Sequence, residues 1–211
     1  MGRLSRMKSG LPTCNYLWSG MLLLAVGMTA AIAADISLGS VVRFNTTCAM
    51  CHEAECSGRL SFDLGQQASD DHIRRYAGDE PPAARNELRA LLEHMKRNCV
   101  YYPISLEVPQ DKRWRAAMLA VLRSAAEDTY FVPLGELAAG RYRAALRFDG
   151  PADASAQVIS ASFDSTEHTG LRADDGTTDF VFGIEHNGSY FLRLKTDGRS
   201  ILLGLEAVRM P

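Results

Sequence analysis

The sequence predicts an α+β protein in two parts, a small all-α domain over residues 34–128 and an antiparallel β-sandwich-like domain over 129–211. Three observations lead there. Between residues 85 and 123 apolar residues recur at helical spacing, from about residue 130 they alternate with period 2, and Asn-Gly and Asp-Gly pairs punctuate the second half. The chain has 211 residues, of which 46% are hydrophobic and 23% charged, enough to bury a core and too apolar for a disordered chain. A formal charge of −2 argues against a nucleic-acid partner.

The first element is an export signal over residues 1–33. Arg3, Arg6 and Lys8 make a basic head, Met21 to Met28 open an apolar stretch, and Ala31-Ile32-Ala33 gives a small-x-small exit before Asp35. Everything beyond is then exported, to the periplasm or outside the cell. The competing reading is an uncleaved anchor, because Leu17 to Ala34 approaches the roughly 20 residues that span a bilayer; only then would the protein be membrane-bound. Cys14 precedes the apolar core, the wrong place for lipid attachment. Since the leader's only charges are three basic ones, the exported part carries −5.

Export leaves Cys48, Cys51, Cys56 and Cys99. Cys48-Ala49-Met50-Cys51-His52 is a C-x-x-C-H run, the attachment signature of a c-type haem. Two thiols three positions apart can each form a thioether to one edge of the porphyrin, and the next residue, His52, can give a ring nitrogen to the iron. A thioredoxin-like dithiol would need a βαβ unit, a zinc site would need a second ligand pair, and a Cys48–Cys51 disulfide would leave His52 without a task. Cys56 and Cys99 are an even remainder in an oxidising compartment, so a disulfide is the economical reading, worth about 4 kcal/mol in the chain-entropy model. Two thiols, or a redox-active pair, are the alternatives.

Around the motif the sequence resembles the small class I c-type cytochromes, over residues 36–126. Gly39 and Phe44 precede the cysteines as a glycine and an aromatic do in that family's first helix. Asp111 to Arg123, with Trp114, Met118, Val121 and Leu122 at helical spacing, resembles its closing helix. The resemblance implies that Trp114 packs beside Phe44 and that a methionine is the distal iron ligand. The chain departs from the family at Glu53, where glycine is usual, in having no proline between His52 and Pro81, and in a loop Asn98–Ser105 that lacks methionine. Tyr102 stands before Pro103 instead.

Met95 is therefore the provisional distal ligand. It lies 43 residues beyond His52, on a helix over Arg85–Lys96 whose Leu88, Leu91, Leu92 and Met95 share a face. His94, His72 and Met118 are alternatives, as is an open or tyrosine-blocked position. The sixth ligand decides the function. A thioether favours one-electron transfer by a single covalently bound haem, and an empty position favours a haem enzyme or gas sensor. Electron transfer to a redox partner with a basic docking surface is the primary reading, steered by the acidic charge.

In the last third Tyr142, Ala144, Leu146 and Phe148 alternate with Arg141, Arg143, Ala145 and Arg147. Ile159 to Phe163, Phe180 to Ile184, Tyr190 to Leu194 and Ile201 to Ala207 give further strands. Asn187-Gly188 and Asp197-Gly198 read as hairpin turns. His168 and His186 read as loop residues, and Asp174–Asp179 as a solvated turn that fails calcium-loop spacing. This domain either docks a partner or covers a haem edge, so a binding or assembly subunit is a further alternative.

Overall fold

The computed structural model describes residues 36–53 and 66–211, with the side chains of 66–68 and 165–167 left out. The expected leader, Cys14 and Cys56 lie outside the described residues. Among the described residues no helix is long and apolar enough to cross a membrane.

Helix α1, Leu38–Arg43, starts at Ser37, whose hydroxyl accepts from the Ser40 N–H at 3.3 Å, satisfying one of the donors a helix start leaves open. It runs through a π-helical turn, Phe44–Cys48, into α2, Ala49–His52. The Ala49 N–H reaches back five residues to the Phe44 carbonyl, and Thr46 Oγ1 donates to the Val42 carbonyl at 2.9 Å. That side-chain bond helps satisfy a carbonyl the wider turn displaces. Two helices follow, α3, Gln66–Ala77, and α4, Pro82–Asn98. Proline at the first position of α4 costs no hydrogen bond there. Cys99 ends the helix in the left-handed region at φ 49°, a role glycine usually takes.

The strands are β1 (Arg113–Arg115), β2 (Arg123–Ser124), β3 (Thr129–Leu137), β4 (Gly140–Phe148), β5 (Ala152–Ser160), β6 (Ser165–Ala173), β7 (Thr177–Ile184), β8 (Gly188–Thr196) and β9 (Leu202–Arg209), with a short helix α5 (Ala116–Ala120) after β1. They form two antiparallel sheets, one ordered β1-β9-β4-β7 and the other β2-β3-β8-β5-β6. Their inner faces bury Trp114, Tyr130, Val132, Leu146, Phe182 and Leu192 in one core.

The two sheets differ on their outer faces, and this asymmetry creates the site. The first sheet turns charge outward, with Arg143 on Asp179 at 2.8 Å and Arg113 on Glu206 at 2.9 Å. The second turns Phe131, Ile159 and Phe191 outward, and the helices cover them with Val41, Phe44, Leu91 and Met95 in a second core. Strands buried on both faces read as continuous apolar runs. Accordingly, Tyr190 to Leu194 are all buried on β8.

The expected fold class is corrected. Among the described residues there is no separate all-α domain: residues Asp35–Pro211 form one unit dominated by two antiparallel sheets, and the helices are a layer on one of them. The expected closing helix over 111–123 is strand β1 and a five-residue helix. Trp114 pairs with Leu205 across β1 and β9 and sits between the sheets, whereas Phe44 belongs to the helical core, so the two do not pack together. The Asn187-Gly188 and Asp197-Gly198 turns are not hairpins, because β7 and β9 lie in one sheet and β8 in the other. Each turn carries the chain across the sandwich.

Candidate functional site

The helix carrying the C-x-x-C-H run is held at three points. At its start Ser37 Oγ donates to Glu87 on α4 at 2.5 Å, and this bond lowers the Glu87 carboxyl below its ordinary range. At its middle Arg43 pairs with Glu80 at 2.8 Å and donates to the Ala77 carbonyl, tying it to the turn between α3 and α4.

The third point lies beneath the motif. Glu53, the residue after His52, pairs with Arg193 on the outer face of β8 and accepts from the Tyr101 hydroxyl. Arg193 is 5% exposed and donates also to the Asn45 carbonyl at 3.1 Å and to Gln157 Oε1 at 2.9 Å. Its guanidinium lies 5.8 Å from the Phe131 ring centre, within cation–π range. Burial pushes the Tyr101 phenol well above its ordinary range. The position where the sequence departs from the resembled family is thus the rivet that fixes the motif helix to the sheet.

Above this anchor a cleft of about 450 Å³ opens between the motif helix, α3 and α4, in the size range of cofactor sites. Phe44, Cys48 and His52, each four residues apart, line one wall; His72 and Ile73 come from α3, and Leu88 and Leu92 from α4. Arg89, Glu93 and Lys96 add charge along the α4 side. Burial, opposed by nearby Arg43, pushes the Cys48 thiol up to about 11. At neutral pH it is therefore a thiol, unlike the depressed thiolate of a redox-active dithiol. Cys51 stands exposed three positions on, and His52 is buried, its ring 5.9 Å from that of His72 at an interplanar angle of 73°.

The other expected residues fall elsewhere. Met95 is 1% exposed in the core between helices and sheet and does not line the cleft. Leu92 and Met95 lie three residues apart on α4, and only Leu92 faces the cleft. His94 turns to the opposite side of α4, against Tyr102 at 5.1 Å. Met118 packs on the sandwich core, and His168 and His186 are exposed. The sequence reading assigned no role to Arg193. The available signal was Phe191, an aromatic at the preceding outward position of the same strand.

No family model matches the chain, and no curated protein matches it. Solved structures similar in part include the Anabaena sensory rhodopsin transducer, 9% identical over 40% of this chain and 89% of that one, with a TM-score of 0.28. FlgD from P. aeruginosa is 15% identical over 41% of this chain and 76% of its own, with a TM-score of 0.29. Likenesses this weak carry no argument.

Three attributes expected of a metal-binding cytochrome with a disulfide are corrected together. The fold is β-rich rather than the family's helical domain. Among the described residues no group of three or more His, Cys, Asp or Glu could hold a metal ion. Cys48 and Cys51 are thiols, not bonded to each other, and the expected Cys56–Cys99 bridge involves Cys56, which lies outside the described residues.

Proposed function

We propose that this chain is an exported protein carrying one covalent haem for one-electron transfer, attached through Cys48 and Cys51 with His52 on the iron. The observation that supports it is the convergence of Cys48 and His52 on one apolar-walled cleft, with Cys51 at the next turn of the same helix. The donor set suits a porphyrin. Haem iron takes four ligands from its ring and asks the protein for one or two, so a three-residue cluster is not what it needs. When bound, haem supplies a reversible Fe(III)/Fe(II) couple.

The chain's own residues would do the rest. Cys48 and Cys51, at i and i+3, fix the ring edge to a helix that is itself anchored to β8 through Glu53 and Arg193. His52, 6% exposed, holds the imidazole in a set direction without competition from water. Phe44, Ile73, Leu88 and Leu92 exclude water from the ring faces. Export is supported by the basic, apolar and small-residue order of the first 33 residues, and a basic redox partner by the −5 charge beyond them.

The test is the intact mass of the full chain produced with a bacterial haem-attachment system. The expected mass exceeds that of the polypeptide by one haem and keeps that excess after denaturation. In Cys48→Ser/Cys51→Ser the excess disappears. A wild-type chain that takes up no haem, or loses it on denaturation, overturns the proposal.

A further inference from the structure

We infer that His72, and not Met95, is the second axial ligand of the haem, making the iron site bis-histidine. The inference rests on the haem reading above and deepens it. Its basis is the placement of two imidazoles from different helices across one cleft.

The ring centres of His52 and His72 lie 5.9 Å apart, with the ring planes at 73° in an edge-on arrangement. Two imidazoles on opposite sides of one metal need two metal–nitrogen bonds of about 2.0 Å, and the two nitrogen-to-centre distances bring the total to about 6 Å. The observed spacing of the ring centres is close to that requirement. Both residues line the same cleft, His52 from the motif helix and His72 from α3. The His72 ring is braced on its own helix by Tyr76, one turn on, with ring centres 4.7 Å apart. The α3–α4 pairing is fixed beside it by the Asp70–Arg89 ion pair. His72 is exposed, so it sits at the mouth of the cleft, while His52 closes its floor.

Met95 lacks the corresponding geometry. Bringing its sulfur to the cleft would mean turning α4 about its axis and withdrawing a buried side chain from the core it shares with Leu91 and Val41. Lys96 also lines the cleft, and the test therefore includes it. Two imidazoles close the iron to small molecules and hold its potential below that of a histidine–methionine pair, since a thioether raises it.

The experiment uses the full haem-loaded chain and its His72→Ala, Met95→Leu and Lys96→Ala variants. Each is first checked for covalent haem by the pyridine haemochrome spectrum and then read by ferric EPR and visible absorption. The wild type is expected to be low-spin without the weak far-red band of a sulfur ligand. His72→Ala should lose the low-spin signal and regain it on adding imidazole, while Met95→Leu and Lys96→Ala keep it. A His72→Ala protein that retains haem and stays low-spin overturns this inference and leaves the haem reading standing, as does loss of the low-spin signal in either other variant. Absence of covalent haem in the wild type overturns both.

Discussion

Replacing Arg193 by Met is expected to destabilise the protein by about 3–5 kcal/mol, because it strands a buried carboxylate. The Glu53 and Arg193 side chains are 16% and 6% exposed, so neither is well solvated. Arg193 also donates to the Asn45 carbonyl and to Gln157, and those acceptors would lose a donor too. The effect belongs to the broken pair and not to its net worth, since a buried ion pair can often be exchanged for apolar residues at little cost. Adding Glu53→Leu to Arg193→Met should therefore recover much of the loss. Urea denaturation followed by far-UV circular dichroism measures both. A loss below about 1 kcal/mol for the single variant is the value of a solvated surface pair, and would remove the rivet from the account.

Trp114→Ala should cost a similar amount, about 3–5 kcal/mol, by leaving a cavity that the sheets cannot collapse. Trp114 is 1% exposed and lies between the sheets beside Leu205. The number of transitions is as informative as the cost. Because the helices pack on Phe131, Ile159 and Phe191 of the sandwich, one cooperative transition is expected for both variant and wild type. A separate helical domain closed by a Trp114-bearing helix would instead unfold first and leave the strands behind. Two resolved transitions, with strand signal surviving in the second, would contradict the fused architecture.

The parts of the molecule legible in the sequence were those with a short-range signature. Cys48, Cys51 and His52 lie on one short helical stretch, as close spacing in the sequence suggests, and the haem chemistry read from them is the proposal made above. The alternation Tyr142-Ala144-Leu146-Phe148 falls on β4, where those four side chains are buried.

What misled was a coincidence of period. Trp114, Met118, Val121 and Leu122 sit at helical spacing, yet Val121 is 49% exposed, and Trp114 is held by a three-residue strand too short to show alternation. Which sheet face meets the helices was written in Phe191 and in the unbroken run Tyr130 to Leu134, both marks of two-sided burial. The His52–His72 approach could not be read locally. It depends on how α3 docks across the motif helix, and the two histidines lie twenty positions apart in the chain.

The central claim is that Cys48 and Cys51 hold a haem beside His52 on a helix anchored to a β-sandwich. The pyridine haemochrome spectrum of the purified, denatured full chain tests it most directly, because the band position reports whether the vinyl groups have become thioethers. One haem per chain, with the band of a doubly thioether-linked haem, is predicted. A chain without haem, or with the band of an unattached one, would contradict it.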